Sequence, residues 1–98
     1  MTRRGLEEAL KRRAVERNGI LLLRPRDALE IVRQARNNGI PVLGLDGFHL
    51  SEAGIQPDLG HSVDFSLSAD TQRESWRHAE AFIEARMGQD LYFEVVLD

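Results

Sequence analysis

Residues 27–50 read DALEIVRQARNNGIPVLGLDGFHL, and the change of period inside this stretch decides the fold class. Up to Arg36 the apolar residues Ala28, Ile31, Val32 and Ala35 recur at helical spacing and form one narrow stripe. Pro25 suits the first turn of a helix, Asp27 favours its positive N-terminal end, and Asn37-Asn38-Gly39 stops it. From Ile40 the branched and aromatic residues of IPVLGLDGFHL, bounded by glycine, predict a strand that follows the helix at once.

Upstream, Leu6, Ala9, Leu10 and Ala14 predict a helix over residues 5–17, with Asn18-Gly19 as its left-handed stop. The run ILLLR, residues 20–24, reads as a short strand or a buried extended link. Downstream, SEAG at 51–54 predicts a turn that IQPDLG extends as a loop. HSVDFSL, residues 61–67, alternates cleanly: His61, Val63, Phe65 and Leu67 fall on one side, Ser62, Asp64 and Ser66 on the other. Ser68 or Asp70 then caps a helix whose stripe is Trp76, Ala79, Ile83 and Met87, with Phe82 beside it and Gly88 at its end. LYFEVVLD closes as a strand, with Leu91, Phe93, Val95 and Leu97 opposite Tyr92, Glu94, Val96 and Asp98.

This order predicts an α+β fold: a three- or four-stranded, mainly antiparallel sheet with two or three helices packed on one face. With 98 residues, positions 1–98 form one domain, which buries only about two-thirds of its unfolded surface and needs its apolar residues in a single core.

The absence of cysteine excludes disulfides, thiolate zinc sites and cysteine nucleophiles together. MTRRGLEEALKRR carries charge where a secretory signal needs an apolar run, and no segment approaches the roughly 20 apolar residues of a membrane span. The expected location is the cytoplasm, with no membrane contact. The net charge of -3 conceals an asymmetry: residues 1–38 hold ten basic and five acidic side chains, residues 39–98 three basic and eleven acidic. The acidic half repels nucleic acid and attracts basic protein surface. The basic residues Arg3, Arg4, Lys11, Arg12, Arg13 and Arg17 are interleaved with Glu7, Glu8 and Glu16 and have no stacking aromatics among them, which predicts a solvated helix face.

LDGFHLSEAGIQPDLGHSVD, residues 45–64, holds four carboxylates, two histidines and no lysine or arginine. Asp46-x-x-His49 and His61-x-x-Asp64 are candidate metal dyads, since imidazole and carboxylate both suit zinc or manganese. Paired carboxylates also split their pKa values for acid and base work. A small metal- or carboxylate-dependent enzyme centred on Asp46, His49, His61 and Asp64 is therefore the alternative reading. Strand geometry sends residues three apart to opposite faces, which separates each dyad unless a bulge at Gly44 or Gly47 brings it together. No Gly-rich phosphate loop, nucleophile elbow or HExxH motif is present, so the expectation is no enzyme, no cofactor and no metal. If Leu43 and Leu45 face the helices, Val42, Asp46 and Phe48 face away together with Asp64, Tyr92 and Glu94, giving an acidic face with aromatics between the charges. Trp76 is expected in the core by its spacing, and Glu74 with His78 as an exposed pair.

The succession DALEIVRQARNNGIPVLGLDGF, a Gly-Ile-Gln-Pro turn, HSVDFS, a Trp-bearing helix and a terminal YFEVVL resembles a family of small α+β immunity proteins from bacterial polymorphic toxin systems, over about residues 20–98. The resemblance implies a non-enzymatic inhibitor, made in the cytoplasm, that binds a cognate toxin domain and protects the producing cell. The charge pattern agrees: residues 41–69 contain no basic side chain but include Asp46, Glu52, Asp58 and Asp64. Such a surface complements a toxin that displays lysine and arginine, and Phe48 and Tyr92 would supply apolar anchors. The expected partner-binding residues are Asp46, Phe48, Glu52, Asp58, Asp64, Tyr92 and Glu94, on a monomer or weak homodimer.

Overall fold

The chain is described from a computed structural model, for residues 3–66 and 74–98. Its elements are α1 (Arg3–Arg13), β1 (Val15–Arg17), β2 (Ile20–Leu22), α2 (Pro25–Asn37), β3 (Val42–Ser51), β4 (Gly54–Asp64), α3 (Ser75–Glu84) and β5 (Tyr92–Leu97). The class is α+β, with an antiparallel sheet in the order β4-β3-β5 and a separate β1-β2 hairpin. Ser68, Asp70 and Leu67, assigned above to a helix cap and a strand face, lie outside the described residues.

The α2–β3 unit forms as its sequence dictates. Pro25 occupies the first turn, where its missing N–H is no loss, and Gly39 takes φ 66° just after the helix end. The last carbonyls are satisfied locally, including Asn38 Nδ2 donating to the Gln34 carbonyl at 2.7 Å. The buried stripe Ala28, Leu29, Ile31, Val32 and Ala35 then meets the sheet. The core gathers Leu6 and Ala9 of α1, that stripe, Ala79 and Ile83 of α3, and Leu45, Phe65, Phe93 and Val95 from the sheet side. Trp76 is half-buried against it, its indole N–H donating to the Ile40 carbonyl at 2.8 Å.

Four expectations need correcting. The predicted first helix stops four residues early, because Asn18 (φ 53°) and Gly19 (φ 78°) form a two-residue hairpin turn that pairs Val15 with Leu22. Residues 55–60 are strand rather than loop: β4 is continuous from Gly54, and Pro57 is tolerated because β4 is an edge strand. Val42 points into the core, not away from it, because the β3–β5 register shifts between Val42 and Gly44 and so resets the alternation. Met87 is 44% exposed, since α3 ends at Glu84 and the residue leaves the stripe. Just after β2, Leu23 bridges Phe93 of β5, the two exchanging backbone hydrogen bonds of 2.8 and 2.7 Å.

Candidate functional site

The alternation of β3 and β5 positions the carboxylates. Leu45 pairs with Val95 on the core side, so the next pair, Asp46 with Glu94, faces outward. On the other flank Gly44 pairs with Asp64. Because Gly44 has no side chain, an open cleft of about 290 Å³ remains between them, lined by Leu43, Gly44, Asp46, Val63, Asp64, Ser66 and Val96. A Cβ at Gly44 would come within 2.8 Å of the Val63 carbonyl, so the close approach of β3 and β4 under the cleft requires glycine there.

The electrostatics are uneven. Asp64 is stabilised as an anion by Ser66, whose hydroxyl and N–H donate to Oδ1 at 2.6 and 2.8 Å, and its pKa falls. Glu94 moves the other way: partial burial disfavours its charge first, and Asp46 directly opposite adds repulsion. Among the described residues no ion pair engages Asp46 or Glu94. The carboxylates of α3 and the segment after it are instead paired to α2 and its N-cap: Arg36 with Glu80 at 3.0 Å, Arg33 with Glu84 at 3.7 Å and Arg24 with Asp90 at 2.8 Å. The basic N-terminal half thus neutralises Glu80, Glu84 and Asp90 and leaves Asp46 and Glu94 without an ion pair among the described residues.

Glu94→Gln is therefore expected to stabilise the fold near neutral pH, by roughly 0.5 kcal/mol because water screens much of the repulsion. The sign follows from the raised pKa: the folded chain holds the Glu94 proton more readily, so the penalty is absent in acid and grows as pH rises through the raised value. Thermal melts should show a higher Tm for the variant at pH 7 and no gain below the ordinary glutamate range. Equal gain at both pH values would count against the assignment.

The seven residues expected at the interface divide into groups. Asp46 and Asp64 line the cleft, and Glu94 pairs with Asp46 beside it. Phe48 pairs with Tyr92 on the next outward rung, but it is only 7% exposed, which corrects its reading as an accessible anchor. Tyr92 is half-buried, with the Arg24 guanidinium 4.1 Å from its ring centre. Glu52 is exposed in the turn between β3 and β4. Asp58 lies on the other side: it pairs with Gly47, which sits opposite the core residue Phe93.

Both candidate dyads separate as strand parity requires. Between Leu45–Val63 and Gly47–Asp58 the register jumps, so one residue of β3 faces four of β4. This bulge brings together what spacing did not reveal: Asp58 Oδ2 accepts from His49 Nε2 at 2.7 Å and lies 3.9 Å from His61 Nε2, while Arg86 donates to His61 Nδ1 at 2.8 Å. Asp58 also accepts the Gly60 N–H at 3.0 Å, and the P-D-x-G turn chemistry of residues 57–60 was the signal available in the sequence. Asp46 and Asp64 therefore do not converge with His49 and His61 on one centre. Among the described residues no group of three or more His, Asp or Glu side chains is arranged to hold a metal ion. No helix among them is long and apolar enough to cross a membrane. Comparison with protein-family models finds no match, and comparison with curated proteins finds none either.

Proposed function

We propose that the chain is an immunity protein, which binds a cognate toxin domain through the outward face of its sheet and has no turnover of its own. One observation carries the reading: Asp46 and Asp64 line an open cleft on the face away from the helices, Glu94 stands beside it as the cross-strand partner of Asp46, and among the described residues no ion pair engages Asp46 or Glu94, while Glu80 and Glu84 of α3 are paired to α2. An uncompensated carboxylate face is poorly suited to nucleic acid and well suited to lysine and arginine of a partner, whose approach it accelerates. The aliphatic walls Leu43 and Val96 would receive the stems of such side chains. The motif order over residues 20–98 that resembles polymorphic-toxin immunity proteins supplies the kind of partner.

The test begins with co-expression alongside the product of the adjacent upstream gene, scored by rescue of growth and by co-purification. A toxic neighbour that neither binds nor is neutralised would sink the proposal. Given a complex, the double reversal Asp46→Lys/Asp64→Lys is expected to slow association on the order of tenfold at low salt and to flatten its salt dependence in stopped-flow measurements. Unchanged association would remove the sheet face from the interface.

A further inference from the structure

On the helix side of the β3–β4 hairpin, Arg86 reaches back from the turn after α3 to the bulge of β4. Its Nε donates to His61 Nδ1 at 2.8 Å, Nη2 donates to the Gly60 carbonyl at 3.3 Å, and Nη1 donates to the Phe82 carbonyl at 3.1 Å. The guanidinium carbon lies 3.6 Å from the centre of the Phe82 ring. A guanidinium has donors only, so His61 Nδ1 must present a lone pair and the ring proton must sit on Nε2.

From this we infer that His61 and Arg86 form a pH-operated latch, which fixes the Leu59-bearing bulge of β4 to the end of α3 while His61 is neutral and releases it when the imidazole is protonated. A proton on Nδ1 would set N–H against N–H and bring two cations into contact, so the 2.8 Å hydrogen bond cannot survive it. The groups around the ring favour the same motion. Asp58, on β4, attracts the imidazolium away from Arg86. His49, on β3, lies edge-on to His61 with ring centres 6.3 Å apart; it already donates Nε2–H to Asp58, so its own protonation leaves that bond intact. Asp58 stays ionised in mild acid, because the His49 hydrogen bond holds its carboxyl below the usual range. Asp90 is bonded to Arg24 and Glu84 pairs with Arg33, so neither takes the place of His61 as a partner for Arg86.

What the latch controls is the presentation of Leu59, which is 87% exposed at the crest of the bulge. In the closed state the bulge is tied from several directions: Gly60 N–H to Asp58 Oδ1, Ser62 Oγ–H to the Asp58 carbonyl, and Gly47 N–H to Ser62 Oγ at 3.0 Å. A rigid bulge offers its apolar side chain without an ordering cost on contact, and a loosened one does not. The inference stands apart from the toxin-binding proposal.

The test follows the imidazole nitrogens of His61 by 15N NMR together with amide exchange at Gly47 and Gly60, through the titration of His61. The expected result is the Nε2–H tautomer at neutral pH, then a fall in protection on the order of tenfold, relative to unstructured-chain rates, as the ring takes its proton. His61→Asn, whose amide oxygen stands near the position of Nδ1 and does not titrate, should keep protection at both pH values; Arg86→Met should lose it at both. An Nδ1–H tautomer at neutral pH, or protection unchanged across the titration, overturns the latch. If either variant fails to fold, the wild-type titration decides alone.

Discussion

Gly47→Ala is expected to destabilise the protein by about 3 kcal/mol, a large share of the roughly 5–15 kcal/mol that holds a domain of this size together. The added methyl would lie 2.5 Å from the His61 carbonyl oxygen and 2.7 Å from its Cβ, both part of the bulge rather than the end of a flexible side chain. Relief would require the bulge to move out, and that would take Ser62 Oγ from the Gly47 N–H and His61 from Arg86. The damage is thus an overpacking strain compounded by loss of hydrogen bonds. Gly39→Ala is the internal control: nothing lies within 4 Å of its Cβ position, so only its φ of 66° opposes the change, at about 1 kcal/mol. Urea denaturation should separate the two variants by roughly 2 kcal/mol; equal midpoints would refute the close-approach account.

The second large effect belongs to Phe93→Ala, expected to cost about 3–5 kcal/mol by equilibrium denaturation. Phe93 is fully buried, lies in the strand that backs the core, and meets Phe82 edge-to-face with ring centres 6.2 Å apart. Its backbone also carries the pair of hydrogen bonds to Leu23, so a cavity here loosens the bridge between the segment after the N-terminal hairpin and the sheet. A cost near 1 kcal/mol would mean that neighbouring side chains collapse into the space and that Phe93 is not the keystone of packing its burial implies.

The parts of the fold legible in the sequence are those where local chemistry and long-range packing agree. Pro25, the Ala28–Ile31–Val32–Ala35 stripe and Gly39 each favour the α2 that forms, and the alternation of Phe93 and Val95 with Tyr92 and Glu94 survives intact. What could not be read depends on register. Asn18-Gly19 serves equally as a helix stop and as a hairpin turn, and only pairing of Val15 with Leu22 selects the hairpin. Val42 turned inward because of a one-residue shift next to Gly44, a strand glycine that permits a bulge without fixing where the register moves. At the site, parity correctly sent Asp46, Asp64 and Glu94 to one face and the histidines to the other. It could not show that four residues of β4 would bulge and carry Asp58 to His49, since a bulge is a property of two strands and not of one.

The same irregularity bears on how this chain behaves at high concentration. β4 is the outer strand of its sheet, and a straight, unpaired strand edge is a template on which further chains extend a sheet into aggregates. Pro57 removes one donor from the strand and the four-residue bulge breaks its straight line, while Asp58 and Asp64 add like charge that a second β4 would have to bring alongside. The bulge that organises the histidine cluster therefore also makes the β4 edge a poor seed for extending the acidic, open sheet.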